Sequence, residues 1–448
     1  MRPHPPGPPL PSHSPQPGEG GTPTQLQNGA GRGRPSPGGR EGDGTGDGGE
    51  VRAPLVPRLE EQGYTADDIA ARRRWIEEKT GAELPQLGAF TVPGEQMRGN
   101  VENPIGTAQV PVGLAGPLLV QGEHAQGTFY VPLATTEGAL VRSYERGAAA
   151  MTRAGGATVR LYADENRVAP VFVFDGVAEA ADFVRRLPGW FDAIRAEAES
   201  TTRHGRLLRL EPHPLGREVR VHFVYATGDA HGMNMIVRAT DRACEWLVAH
   251  TAARRFLIFS GLEGEKRASG SLLAGGKGKK VVAGARLSAR VVQSYLHATP
   301  EQLADVWRHT VLGHLQSGTL GYNGHYANGL TALFIACGQD VANVTNSAVG
   351  ITSLEVIEGG DLYATATLPS LTVATVGGGT GLGTARECLE MLGCAGAGKA
   401  PKLAEITAAL VLAGELSMAG AIASGEFVQA HEEYGRNRPE ISPEEPGA

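Results

Sequence analysis

Glu137 lies in Pro132-Leu-Ala-Thr-Thr-Glu-Gly-Ala-Leu-Val-Arg-Ser-Tyr-Glu-Arg-Gly147, where a strand-like run, Thr128 to Leu133, meets apolar spacing of helical type. Free N–H groups and partial positive charge at a helix start stabilise a carboxylate, so the spacing predicts a first-turn Glu behind a Thr cap. Asp229, in Thr227-Gly-Asp-Ala-His-Gly-Met-Asn-Met-Ile236, is placed to cap a helix running to about Ala253. Gly232 lets a ligand approach that backbone, and the free N–H groups favour an anion such as a dinucleotide phosphate; locally, a capped helix with core methionines is the simpler reading. Asp340 follows the apolar run Leu330 to Cys337, a setting in which a carboxylate must find donors or a cation. The basic, glycine-rich stretch Ser260 to Lys280 holds Lys266, Arg267, Lys277, Lys279 and Lys280. It has no P-loop spacing; its last three lysines read as a solvated patch, and Lys266 and Arg267 as surface partners of Glu263 and Glu265. Val376 to Gly383 looks like a dinucleotide fingerprint, but Thr384 occupies the third glycine position, so the pattern fails. His431, in the polar run Gln429 to Glu440, reads locally as a surface residue.

The elements that must position these groups follow from caps and periodicity. Thr65-Ala-Asp-Asp68 is a capping box leading a charged helix, Ile69 to Lys79, closed by Gly81. Gly99 to Pro117 is too rich in Gly and Pro for a regular element and too apolar for a linker, so a tightly packed loop is expected. A helix ending at Ala148 to Gly156 and a strand from Ala157 follow. The order strand (Val171–Phe174), amphipathic helix (Val177–Thr201), strand (Glu218–Tyr225) suits a small α+β unit inserted in a larger domain. Thr299-Pro-Glu caps a helix over Gln302 to Gln316, strands are expected over Ile351–Ile357 and Leu362–Leu368, and Leu403 to Val428 reads as one long small-residue helix.

Composition narrows the class. At 448 residues with a net charge of −7 and 6% aromatic residues, the chain can bury a large core and lacks the character of a nucleic-acid surface. Residues 1–50 are half Gly and Pro and cannot bury enough surface to offset their ordering entropy; disorder is expected there. The four cysteines show no metal spacing, the N-terminus has no apolar signal core, and no membrane span is expected, which together favour the cytoplasm.

Taken in order, ENPIGTAQVPVGLAGPL, PLATTEGALVRS, TGDAHGMNMI, GYNGHYANGLTALFIACGQDVANV, TVGGGTGLGTARECLEMLG and LAGELSMAGAIASGEFVQAH resemble the 3-hydroxy-3-methylglutaryl-CoA (HMG-CoA) reductase family, in its soluble form without a membrane anchor. The resemblance covers about residues 60–435. It implies an α+β fold: a large mixed helical and sheet substrate-binding domain (106–168 and 259–435), with an inserted small ferredoxin-like, non-Rossmann cofactor domain (169–258). A disordered tail (1–52), an N-terminal helical segment (53–105) and a flexible C-terminal tail (436–448) complete the organisation. The implied reaction is NADPH-dependent two-step reduction of HMG-CoA to mevalonate and CoA, on the route to isoprenoids. The implied catalytic set is Glu137, Lys266, Asp340 and His431. Lys266 would stabilise the oxyanion, His431 would protonate the departing thiolate and Glu137 would protonate the aldehyde oxygen, with Asp340 holding Lys266 charged. Cofactor contacts would come from Asp229, Gly232, Met233, Asn234, Met235, Arg203, Gly378, Gly379 and Thr380, with NADPH favoured over NADH. Substrate contacts would come from Ser260, Arg267, Arg290, His325 and Asn328. No metal is implied, and the site is expected at the interface of a homodimer or larger assembly.

This chain departs from the family at three places. His231 stands where Met is usual, Val168 stands where an arginine is expected with Arg167 one step earlier, and SGLEGEKR is one residue short and lacks the usual Asn and Cys. Lys266 is the best match for the loop lysine, with Lys277 and Lys279 matching basic positions further along. Reduction of a different acyl-CoA, or a binding protein that keeps the fold without activity, are the alternative readings.

Overall fold

The computed structural model describes residues 54–57 and 63–426; His431 and the expectations for the two chain tails lie outside the described residues. The helices are α1 (Ala66–Thr80), α2 (Pro85–Gly88), α3 (Gly94–Met97), α4 (Leu140–Arg153), α5 (Val177–Arg186), α6 (Phe191–Glu199), α7 (Met233–His250), α8 (Ala289–Leu296), α9 (Pro300–Ser317), α10 (Tyr326–Ala336), α11 (Val344–Ser347), α12 (Gly383–Met391) and α13 (Ala400–Ser424). The strands are β1 (Val112–Gln121), β2 (Gln126–Ala134), β3 (Ala157–Val168), β4 (Val171–Val173), β5 (Arg206–Leu215), β6 (Glu218–Ala226), β7 (Arg255–Leu257), β8 (Gly278–Leu287), β9 (Ile351–Val356) and β10 (Leu362–Leu371).

Local chemistry sets several of these boundaries. Thr65 and Asp68 close a capping box on α1, and Thr299 and Gln302 do the same on α9, whose first turn holds Pro300. The expected helix over Val177–Thr201 is two helices, because Pro188 and Gly189 turn the chain through a 3-10 segment, Leu187–Trp190. The expected loop over Gly99–Pro117 stays irregular only to Pro111, after which β1 pairs antiparallel with β2.

Among the described residues, ten strands form a continuous system in the order β7-β4-β6-β3-β8-β10-β9, with β1 against β2 and β3, and β5 against β6. β3 joins its two halves. Thr158 to Glu165 pairs with β8, and Asn166 to Val168 pairs with β6. Each half encloses its own apolar core: one gathers β1, β2, β8, β10, α4 and α13, the other β4, β6 and α5 to α7.

α13 runs through the first core and is buried on nearly every side. It is long and apolar enough to cross a membrane, yet protein covers 83% of its most apolar window. Small residues let it approach α4: a Cβ on Gly147 would stand 1.8 Å from the Ala413 carbonyl oxygen, and one on Gly414 would stand 2.5 Å from the Tyr144 ring. Two glutamates interrupt the helix. Glu405 accepts the backbone N–H groups of Glu123, His124 and Ala125, fixing the β1–β2 turn. Glu415 does comparable work near the candidate site.

Candidate active site

Glu137 sits before a helix, not in its first turn. α4 begins at Leu140, and the Glu137 N–H donates to Thr135 Oγ1 (3.0 Å). The intervening Ala139 takes a left-handed φ of 69°, a strained conformation for a non-glycine residue that swings the carboxylate out of the helix into solvent reach. Asn328 on α10 donates its amide to both carboxylate oxygens, at 3.0 and 3.1 Å.

Lys266 has the second left-handed backbone here, with φ of 53°. Its ammonium lies 2.7 Å from Asp340, and both side chains are about half exposed, 46% and 44%. Asp340 also caps the turn after it, accepting from Ala342 N at 3.2 Å. The carboxylate after the apolar run thus finds both the donor and the cation that its setting demanded.

Lys277 and Lys279 are not a solvated patch. Lys277 is wholly buried, ion-paired with Glu265 and donating to Asn166 Oδ1 (2.6 Å). Lys279 is 3% exposed and reaches Asp164 at 2.9 Å. Lys279, on β8, has Asp164 of β3 directly opposite it, while Lys277, just before β8, meets Glu265 of the preceding loop; each buried ammonium thus has an acid partner. His231 completes this cluster: its ring lies 3.4 Å from Glu265, and its carbonyl accepts from Asn166 Nδ2 at 2.8 Å. Burial opposes ionisation of Glu265, but His231 and Lys277 outweigh it and hold the carboxyl at about 2. Burial likewise pushes the Lys277 ammonium below its ordinary value, against the pull of Glu265. Of the two lysines, Lys277 is committed internally, whereas Lys266 presents its ammonium at the surface.

The remaining predicted residues fall into groups. Asp229 does not cap α7, which starts after Gly232 with no side-chain cap. Its carboxylate accepts from Gly398 N (2.7 Å) and Ala400 N (3.1 Å), capping α13, and its carbonyl accepts from Thr375 N (2.9 Å). Gln339 bonds Ala374 in both directions, 2.7 and 2.9 Å, and Gly338 packs so tightly on Gly379 that a Cβ there would meet its carbonyl at 2.3 Å. The Asp229, Asp340 and glycine-rich segments are therefore one structure. Gly378, Gly379 and Thr380 form a short 3-10 turn. Met233 approaches Lys277 (Sδ to Nζ 3.3 Å), Met235 lies partly buried beside Gly205, and Asn234, Arg203 and Arg290 are exposed. Ser260 donates to the Ala169 carbonyl (2.7 Å), and Arg267 pairs with Glu263 at 3.0 Å.

His325 is buried and stacks on Tyr144 with ring centroids 4.8 Å apart. Burial lowers its imidazole to about 4, with a hydrogen bond to the Gly414 backbone opposing, so the ring is neutral at physiological pH. Two anchors were missed in the sequence. Tyr144 donates to the His325 carbonyl (2.7 Å), and Glu415 accepts from His325 N (2.5 Å), Gly324 N (3.0 Å) and Thr352 Oγ1 (2.7 Å). A glutamate inside an apolar helix was the available signal, because such a carboxylate must collect donors.

The description hydroxymethylglutaryl-coenzyme A reductase belongs to the family model that matches residues 68–436. This chain is a member of the HMG-CoA reductase family. It is 44% identical over 381 residues to the 3-hydroxy-3-methylglutaryl-coenzyme A reductase of Methanothermobacter thermautotrophicus, covering 84% of this chain and 96% of that protein. It is 44% identical over 376 residues to the reductase of that name from Methanocaldococcus jannaschii, covering 82% and 92%. Among solved structures, a 3-hydroxy-3-methylglutaryl-coenzyme A reductase of Streptococcus pneumoniae superposes with a TM-score of 0.60 at 19% identity, over 79% of this chain and 96% of that one. Another structure of the Streptococcus pneumoniae enzyme, class II and bound to NADPH in open conformations, gives 0.59. The mixed α+β fold of this chain is the reductase family's fold.

Proposed function

We propose that this chain is an HMG-CoA reductase, converting HMG-CoA with two NADPH to mevalonate and CoA. The observation that carries the reading is the surface-facing Lys266–Asp340 pair in a chain that also presents Glu137 on Asn328. When bound, NADPH supplies hydride to the thioester carbonyl and then to the aldehyde. Lys266 meets the negative charge that each hydride addition places on oxygen, and Asp340 keeps that ammonium protonated and aimed. Glu137, oriented by Asn328, is placed to give the aldehyde oxygen its proton. His431 is assigned the proton for the departing thiolate on family resemblance.

The residues fit the cofactor. No atom lies within 4 Å of where a Cβ would stand on Gly377, Gly378 or Gly381, so this turn leaves its backbone open to a ligand. We assign residues 169–258 to an inserted, ferredoxin-like cofactor domain; the separate core of β4, β6 and α5 to α7 supports it. Arg203 is exposed there and suits a 2′-phosphate. The substrate's free carboxylate falls to Arg167. One step along a strand reverses the face, so Val168 enters the core while Arg167 turns to the loop, donating to the Glu263 carbonyl with Nη2 unpartnered.

Half-exposed Lys266 and Asp340, and the exposed apolar side chains Val112, Leu114 and Tyr130 on the β1–β2 hairpin, support a homodimer with the site at its interface. Four buried free cysteines fit a reducing cytoplasm. NADPH oxidation coupled to CoA release tests the reading. Two NADPH oxidised per CoA thiol freed from HMG-CoA is expected; turnover confined to other thioesters, or none, would refute it.

A further inference from the structure

Outside the reductive site, Glu211, His213 and His222 turn their side chains together on the β5–β6 hairpin, with one donor atom from each within 4.8 Å of the others. Glu211 and His222 are cross-strand partners, and His213 lies two residues from Glu211 on the same face of its strand. His213 Nε2 stands 3.1 Å from His222 Nδ1, and Glu211 Oε2 stands 3.3 Å from the same nitrogen. Tetrahedral bonds of about 2.0–2.1 Å place two ligand atoms roughly 3.3 Å apart. The separations of 3.1 and 3.3 Å about His222 Nδ1 are close to that spacing.

His222 Nε2 lies 3.2 Å from the Leu262 carbonyl, which can only accept, so that nitrogen carries the proton. In the neutral ring Nδ1 then presents a lone pair, and a carboxylate oxygen faces it. A proton or a metal cation between these atoms makes the contact favourable, and the two imidazole nitrogens with the carboxylate oxygen offer a metal three ligand atoms. Imidazole metal ligands commonly have their second N–H on a backbone carbonyl, as His222 does. Arg209 pairs with Glu211 through Oε1 (2.6 Å) and also with Glu165, leaving Oε2 directed at the imidazoles. His213 is exposed, so the fourth position opens to water.

We propose that Glu211 Oε2, His213 Nε2 and His222 Nδ1 form a binding site for a zinc-class divalent cation. Two imidazoles and one carboxylate suit Zn(II), with water completing the set. The site also has a route to catalysis: His222 holds the carbonyl of Leu262, four residues before Lys266. A bound ion would fix the His222 ring and, through it, one end of the loop that carries Lys266.

The test is calorimetric titration of the full-length, chelator-treated protein with Zn(II), with Co(II) absorption as a second probe of the coordination. One ion taken up per chain, with tetrahedral Co(II) bands, is expected. His213→Ala, at an exposed position, should keep its circular dichroism and lose at least about 100-fold in affinity, since disturbing even an outer-shell partner of a ligand costs about 10–100-fold. His222→Gln should lose uptake as well. No saturable uptake by the wild-type chain, or unchanged uptake by folded His213→Ala, would overturn the assignment.

Discussion

Glu415→Gln separates anchoring from chemistry. The wild-type carboxylate is buried and accepts from Gly324 N, His325 N and Thr352 Oγ1, pinning the turn that leads to Asn328 and hence to Glu137. Hydrogen bonds to a charged group contribute about 1.5–3 kcal/mol and neutral ones about 0.5–1.5, so each donor still facing the amide oxygen loses roughly 1 kcal/mol. The donor left facing the amide NH2 loses its partner, at about 1–3 kcal/mol. The gross loss is roughly 3–5 kcal/mol. Burial already pushes the Glu415 carboxyl above its ordinary value, so a neutral amide recovers part of that loss. A net destabilisation of about 2 kcal/mol is expected. Urea unfolding should show a lower midpoint at unchanged slope, and steady-state assays a lower kcat with little change in KM for NADPH. Unchanged stability would refute the anchor. Destabilisation with full kcat would refute its link to Glu137.

Other perturbations give distinct signatures. Lys277→Met leaves Glu265 buried beside His231 alone and should destabilise by about 3–5 kcal/mol in chemical denaturation, the range for breaking a buried pair. Asn328→Ala frees the Glu137 carboxylate and should lower kcat for mevaldehyde reduction while leaving the unfolding midpoint in place. His325 is neutral in the fold down to about 4, whereas the unfolded chain takes up that proton near 6.5. Stability should therefore fall as pH drops from about 6.5 to 4, by up to roughly 3 kcal/mol, and His325→Gln should flatten that window in pH-dependent unfolding.

Much of the scaffold was legible because its signals are local. The capping boxes at Thr65 and Thr299 and the alternation in β3, β6 and β10 each depend on a few neighbouring residues. β5 was missed because Pro212 and Pro214 break a strand pattern; it pairs with β6 alone, and at a sheet edge a missing N–H is tolerated. The site was legible as motifs but not as contacts. Lys277 and Lys279 read as solvent-facing because their partners come close only in the fold: Asp164 when β3 pairs with β8, and Glu265 when the loop before β8 packs on Lys277. Asp229 read as the cap of α7 because that helix follows it in sequence, whereas α13 receives it in space. The same holds for Glu137, whose partner Asn328 sits on a distant helix.

Single-turnover hydride transfer to HMG-CoA in Lys266→Met, with Lys277→Arg alongside, decides which lysine meets the oxyanion. NADPH oxidation should slow about 10²–10³-fold in Lys266→Met, the loss typical of removing one oxyanion donor, with NADPH binding and fold unchanged. Lys277→Arg, provided it folds, should retain turnover. Near-normal hydride transfer in Lys266→Met, with the chemical step lost in folded Lys277→Arg, would contradict the role given to Lys266.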